Sequence, residues 1–187
     1  MQTGLAERVW TDEALMAVPD DGQKYELVAG ELVVSPTGFL HGYISLRLAA
    51  ALMDFVLGRQ LGVVVDSSTG FRIKRGNCRS PDISFVRKER LGMTKKFFQG
   101  APDLVAEILS PQDMAEAMHK KLVEYFADGT KLAWVVNPED RIVSVYLSPE
   151  SSRLLRAGDH LDGQNILPGF TFPVSDLFEV PNFGSQA

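Results

Sequence analysis

The segment SPDISFV at residues 80–86 decides the reading of this chain, because it places an acidic residue, Asp82, directly before a short apolar run typical of a buried β-strand. The segment DLVAEIL at residues 103–109 has the same character and carries Glu107 within its apolar run. Acidic side chains are seldom fully buried unless they are paired or bind a metal. Two carboxylates on neighbouring buried strands repel each other, and a cation between them keeps both ionised. The two segments therefore predict a metal-binding acid pair, which is typical of phosphodiester chemistry.

Helical and strand patterns alternate around these two segments. Thr11 is the expected cap of a short helix at residues 11–16. Residues 24–34 are predicted to form a hairpin that turns at Ala29 and Gly30. Helices are predicted from about residue 41 to 57 and from 112 to 127, and the remaining short strands are predicted at residues 62–66, 69–74, 82–86, 104–109, 132–136 and 142–147. This order indicates an α/β fold with one central mixed sheet flanked by helices.

Length and composition are those of one ordinary globular domain. The chain has 187 residues, of which 45% are apolar and 23% are charged. The net charge of −5 argues against broad, high-affinity binding of nucleic acid, because such binding needs clustered Lys and Arg. It does not exclude a nuclease, since an acidic metal site adds negative charge of its own. The single cysteine, Cys78, excludes an internal disulfide.

The sequence also gives expectations about the compartment. No uninterrupted apolar run approaches the ~18 residues of a membrane-spanning helix. The first eight residues lack the basic and apolar pattern of a secretory signal. We therefore expect a cytoplasmic protein without membrane contact.

The predicted helix at residues 112–127 places one lysine at the edge of its apolar face. At ~100° per residue, one face of the helix should pack on the sheet, and Lys121 borders this face while Lys120 points toward solvent. The ammonium of Lys121 can then reach the ends of the strands, or the side chain can simply lie along the helix margin with its charge in water. The residues predicted on the packed face are Met114, Met118, Leu122, Tyr125 and Phe126.

Four motifs in this order resemble one family. They are Pro81-Asp82, EILS at residues 107–110, KLVEY at residues 121–125 and WVVNP at residues 134–138, preceded by YELVAGEL at residues 25–32 and by His41. Together they resemble the Uma-type putative restriction endonuclease-like family of the PD-(D/E)XK nuclease superfamily. The resemblance implies a restriction endonuclease-like core at about residues 24–147 within a single domain of residues 1–187.

The resemblance also implies a catalytic site formed by Asp82, Glu107 and Lys121. The superfamily usually has a lysine two residues after its second acid, where this chain has Leu109, and the family pattern matches Lys121 instead. In the implied mechanism, both acids and the backbone carbonyl of Ile108 bind Mg²⁺ or Mn²⁺, which polarises the phosphate and activates water. Lys121 orients or helps to deprotonate that water and offsets the charge on the phosphate.

Three further residues are candidates with alternative explanations. Glu31 follows the hairpin turn and either reaches the site as a third carboxylate or remains an exposed hairpin acid. Strand alternation makes Glu26 a weaker candidate, because it shares a face with Val28. His41 either caps or packs the start of its helix or lines the site.

Three hypotheses about function follow from these patterns. The first is a Mg²⁺-dependent endonuclease that cleaves DNA, which in this fold often acts as a homodimer. The second is a catalytically inactive nuclease-fold module for binding or assembly, as the acidic pI and Leu109 indicate. The third is an unrelated enzyme that acts on a small phosphorylated molecule, because an acid pair alone does not specify DNA.

Overall fold

The computed structural model describes residues 10–18, 25–34, 38–92, 96–111 and 113–181. In chain order the helices are α1 (Asp12–Met16), α2 (Phe39–Gly58), α3 (Ala115–Ala127) and α4 (Val174–Phe178), and the strands are β1 (Tyr25–Val28), β2 (Glu31–Val34), β3 (Gly62–Asp66), β4 (Phe71–Arg72), β5 (Cys78–Arg79), β6 (Ile83–Arg87), β7 (Phe98–Gln99), β8 (Leu104–Ile108), β9 (Leu132–Asn137), β10 (Ile142–Ser148), β11 (Ser151–Leu155), β12 (His160–Gly163) and β13 (Leu167–Pro173).

A six-stranded mixed sheet forms the centre of the fold, in the order β11-β10-β9-β8-β6-β3. Neighbouring strands are antiparallel except β8 and β9, which are parallel and are joined through α3. Parallel neighbours need such a long crossover, whereas antiparallel neighbours can be joined by tight turns. The helices on both faces of this sheet confirm the predicted α/β class.

The two faces of the sheet bury different helices. On one face, α2 places Ile44, Leu48, Leu52 and Val56, spaced four residues apart, against apolar side chains of β6, β8 and β9. On the other face, α3 packs on Val105 and its neighbours with Met118, Leu122 and Tyr125. Because successive strand residues point to opposite faces, residues 105 and 107 of β8 face α3 and residues 104, 106 and 108 face α2.

Helix α2 has a mean hydropathy of 1.3 over its 20 residues, so by length and composition alone it is long and apolar enough to cross a membrane. It is not an uninterrupted apolar run, because Arg47 and Asp54 lie within it, and the search for such a run in the sequence therefore does not detect it. In this fold one side of the helix packs on the central sheet.

A second sheet of five short strands, in the order β2-β1-β5-β4-β7, lies beside the first. The predicted hairpin is confirmed as β1 and β2, whose turn residues Ala29 and Gly30 both have positive φ, as a two-residue hairpin turn requires. The predicted cap of α1 is confirmed too, because the N–H of Ala14 donates to Thr11 Oγ1. The predicted strand at residues 69–74 was too long, since the strand comprises only Phe71–Arg72 and a 3-10 turn follows at Lys74–Gly76.

The start of the helix predicted at residues 112–127 also differs from the prediction. Helix α3 begins at Ala115, and Met114 precedes it with 69% of its side chain exposed, so the assignment of Met114 to the packed face was wrong. Residues 24 and 112, where predicted elements began, lie outside the described residues. The tail packs back on the core, as expected, through Leu161, Leu167 and Phe170.

Candidate active site

Asp82 and Glu107 lie opposite each other at the end of the ladder between β6 and β8. The antiparallel register pairs Ile83 with Ala106, so the next step in the same register sets Asp82 against Glu107. Residues opposite each other on neighbouring strands share one face of the sheet. Both acids are buried, with 4% and 3% of their surface exposed. The sequence therefore carries both carboxylates into the interior at the neighbouring ends of β6 and β8.

Asp82 is fixed by two contacts from different elements. Its Oδ2 accepts a hydrogen bond of 2.9 Å from the backbone N–H of Ile108, at the end of β8. The same oxygen lies 3.0 Å from Nε2 of His41, in the first turn of α2. His41, a candidate with alternative roles in the sequence, thus lies beside Asp82 with a side chain only 10% exposed.

Helix α3 holds both oxygens of Glu107. The hydroxyl of Tyr125 donates to Oε1 at 2.6 Å, and Nζ of Lys121 lies 3.5 Å from Oε2. The two side chains are four residues apart, so they project from the same side of the helix. Tyr125 is fully buried, and burial, with the carboxylate of Glu107, raises its pKa well above the usual value for tyrosine. Tyr125 was predicted as a packing residue, and its hydroxyl contact was not predicted.

Glu26 is a third buried carboxylate in this cluster, and it comes from the second sheet. Leu27 pairs with Cys78, so Glu26 lies opposite Arg79 on the neighbouring strand, and the two side chains approach to 3.3 Å. Oε1 of Glu26 also accepts the backbone N–H of Ser80 at 3.0 Å. Nζ of Lys121 lies 3.6 Å from its other oxygen.

The sequence made Glu26 a weaker candidate than Glu31. In the structure, however, Glu26 belongs to the cluster of buried acids and Glu31 does not. Glu31 is exposed on the edge strand β2, while Glu26 points into the cluster from β1. The alternation argument failed because both faces of β1 are covered, so that Glu26 and Leu27 are both buried. The sequence feature that could have identified Glu26 is Arg79, a basic residue that directly precedes Ser80-Pro81-Asp82 and needs an acidic partner once it is buried.

Charges alternate around Lys121 and Arg79. The carboxylate of Glu107 raises the pKa of the Lys121 ammonium above its usual range, against the opposing effect of burial, and Glu26 adds to the increase. Burial alone would lower the pKa of Arg79, but Glu26 and then Glu124 outweigh it and raise this pKa. Arg79 also donates to Glu124 of α3 at 2.7 Å. Both basic side chains are therefore fixed cations at neutral pH.

Leu109 occupies the position where the superfamily usually has its lysine. Its side chain packs against the apolar cluster of Val105, Leu122 and their neighbours. The lysine that enters the acid cluster comes from α3 instead, at Lys121. The structure thus brings the amine to the acids from a different part of the backbone, as the angular pattern of the helix predicts.

The donor set fits a hard divalent cation. Within the described residues, no three His, Cys, Asp or Glu side chains form a group that could hold a metal. Mg²⁺, however, commonly uses only one or two carboxylates and retains several waters for the rest of its coordination. Asp82 and Glu107 supply such a pair, and the charge of a divalent ion would offset the repulsion between them.

A cavity of about 330 Å³ opens next to this cluster. Its walls are the residues around the start of α2, including Phe39 and His41, the segment Leu109–Pro111 that follows β8, and Pro138 with Glu139 after β9. Because His41 contacts both the cavity and Asp82, the cavity is separated from the acid cluster by a single side chain.

Comparisons with known proteins agree with this fold. The model of the Uma2 family, described as putative restriction endonucleases, matches residues 12–175. A search of curated proteins found no match. Among solved structures, the chain is similar to a putative nuclease of DUF820 from Anabaena variabilis ATCC 29413, with a TM-score of 0.80 and 19% sequence identity. The similarity covers 90% of this chain and 97% of the other.

The chain therefore belongs to the Uma2 family of putative restriction endonucleases. This confirms the resemblance seen in the sequence. The likeness to the solved structure confirms the restriction endonuclease-like fold.

Proposed function

We propose that this protein is a metal-dependent endonuclease that hydrolyses phosphodiester bonds in DNA. The proposal is supported by one observation: Asp82 and Glu107 are both buried at the neighbouring ends of β6 and β8, and the ammonium of Lys121 lies 3.5 Å from Glu107. Two acids and a lysine in this arrangement suit the attack of water on a phosphate, because the reaction needs a bound cation and a charge that offsets the developing anion. Membership of the Uma2 family supports a nucleic acid as the substrate.

Asp82 and Glu107, with the backbone carbonyl of Ile108, are the groups that would hold Mg²⁺ or Mn²⁺. A bound divalent ion supplies Lewis acidity toward the phosphate and lowers the pKa of a coordinated water. The protein keeps the two acids in place through the backbone N–H of Ile108 and the hydroxyl of Tyr125, which each donate to one of them. Such fixed hydrogen bonds orient metal ligands, and their loss commonly lowers metal affinity or activity by roughly 10–100-fold.

Lys121 would act as a positioned cation. Its ammonium lies between Glu107 and Glu26, and its side chain is still 21% exposed, so it is accessible to a substrate phosphate. It would donate hydrogen bonds to the phosphate oxygens or to the attacking water and offset the charge that gathers there. His41 would keep Asp82 oriented from the side of the cavity.

A second function, a nuclease-fold module that binds without hydrolysis, is favoured by the ion pairs of Lys121. Both carboxylates near its ammonium are buried, so the lysine already has partners within the protein. In such a module the acids and the lysine would stabilise the fold, and their replacement would affect folding rather than turnover.

Cleavage of DNA by the purified protein distinguishes the two functions. Plasmid DNA and single-stranded RNA are incubated with the wild type and with D82N, K121M and K120M, in Mg²⁺ or in EDTA. Lys120 is the matched control, since it adjoins Lys121 in α3 but pairs with Glu116 at the surface. We expect Mg²⁺-dependent cleavage of DNA that falls at least 100-fold in D82N and K121M and is unchanged in K120M.

Two results would contradict the proposal. Cleavage that persists in D82N or K121M would show that the activity arises elsewhere, from the protein or from a contaminant. Absence of cleavage by a folded wild type that still binds DNA would support the binding module. Circular dichroism of each variant distinguishes a loss of turnover from a loss of folding.

A further inference from the structure

The outward side of α2 carries a continuous apolar stripe. Its members follow each other at steps of three and four residues, so they form one line along a helix of about 30 Å. All of them are exposed, and the largest are well exposed, with 83% for Phe39, 72% for Leu46 and 58% for Leu57. The α2 stripe consists of Phe39, Gly42, Leu46, Ala50, Met53 and Leu57.

A surface of this size lies at the upper end of what a monomer exposes. Here only 22% of the residues in the most apolar window of α2 are buried, and these residues face the central sheet. From the exposed fractions, the stripe presents on the order of 500 Å² of apolar side chain, near the upper limit for the largest patch of a typical monomer.

The order of residues along the stripe suits a second copy in the antiparallel direction. If a two-fold axis passes level with residue 48, Phe39 of one copy lies against Leu57 of the other, and Leu46 lies against Ala50. A large side chain then meets a small one at the centre of the pair. No member of the stripe is charged. Arg47, beside it, is already held by the hydroxyl of Tyr43 and the carbonyl of Glu179. A two-fold pair therefore brings no like charges of the stripe together.

We propose that the α2 stripe is the interface of a homodimer in which the two α2 helices pack antiparallel. At ~500 Å² on each copy, the stripe would bury about 1,000 Å² in total, which lies at the lower limit for a specific interface between proteins. A lipid surface fits less well, since membrane-binding helices carry basic residues on their polar face. This helix has Asp54 beside the stripe, in a protein of net charge −5.

The pairing also connects the interface with the cavity beside His41. Phe39 belongs both to the stripe and to the wall of the cavity. In the antiparallel pair, the end of α2 near Leu57 of one copy packs on Phe39 of the other. Each copy then covers one side of the cavity of its partner.

The first test is the mass of the protein in solution. Sedimentation velocity from 1 to 100 µM is measured for the wild type, L46E and the control L147E. Leu147 is an exposed leucine on β10, away from α2, with 59% of its side chain exposed. We expect twice the monomer mass of 20.6 kDa for the wild type and L147E, and the monomer mass for L46E. A monomeric wild type, or a dimeric L46E, overturns the proposal.

The second test determines the direction of pairing by oxidation of engineered cysteines, with native Cys78 buried. In the antiparallel pair the two copies of residue 39 are about 27 Å apart along the axis, too far for a disulfide. F39C should therefore remain uncrosslinked, and F39C/L57C should form a covalent dimer. Crosslinking of F39C alone would indicate parallel helices and overturn the arrangement. Binding of a monomeric wild type to phosphatidylglycerol vesicles would assign the stripe to a membrane instead.

Discussion

Replacement of Lys121 by methionine should destabilise the folded protein strongly, because Lys121 is the cation between two buried acids. Its Nζ lies 3.5 Å from Glu107 and 3.6 Å from Glu26, and both carboxylates are at most 5% exposed. Removal of one partner from a buried ion pair costs about 3–5 kcal/mol, since it leaves an uncompensated charge. Because the lysine side chain is itself 21% exposed, we expect the lower limit, a loss of about 3 kcal/mol in the free energy of unfolding.

The neighbouring substitution K120M provides the control for helix propensity, which is nearly equal for Lys and Met. Lys120 pairs with Glu116 at 2.8 Å, but both side chains are about 70% exposed, so that its loss should leave the free energy of unfolding nearly unchanged. Urea unfolding at pH 7.5, followed by circular dichroism at 222 nm, measures both variants against the wild type. Equal effects of K121M and K120M would refute the position of the Lys121 ammonium between the two acids.

Two further predictions concern Tyr125 and Glu26. Y125F should lower the free energy of unfolding by about 2 kcal/mol at pH 8, since Glu107 loses a buried hydrogen bond. Burial and Glu107 raise the pKa of Tyr125 in the folded protein. The stability that its hydroxyl contributes is therefore fully present below about pH 10, the pKa of tyrosine in the unfolded chain, and is lost as the pH rises above it. The difference between Y125F and the wild type should therefore shrink by about 1.4 kcal/mol per unit above pH 10 in urea unfolding, and a constant difference from pH 9 to 11 contradicts this. E26Q should reduce both the free energy of unfolding and the cleavage of DNA. E31Q, at an exposed edge position, should change neither. If E26Q and E31Q had equal effects in both assays, Glu26 would not belong to the site.

The central part of the fold and of the site could be predicted from the sequence because its signals are local. Asp82 and Glu107 adjoin apolar runs that are long enough to define buried strands, and their neighbours fix the register. The angular position of Lys121 on an amphipathic helix is also a local property, and the structure agrees with it.

Glu26 and the second sheet could not be predicted in this way. Strands β4, β5 and β7 have only two residues each, too few to show the alternation that identifies a strand. The position of Arg79 opposite Glu26 depends on the pairing of β1 with β5, which are about 50 residues apart in the chain. When the burial of a carboxylate depends on such a distant partner, the residues next to it in the sequence do not indicate that it is buried.

A crystal structure of the wild type soaked with Mn²⁺ tests the central claim of a metal site most directly. We predict one anomalous peak at coordination distance, about 2.1 Å, from carboxylate oxygens of both Asp82 and Glu107. The ammonium of Lys121 should remain beside the same ion site. Absence of a peak at this position, or a peak that contacts neither acid, would contradict the claim and leave only the fold of a nuclease.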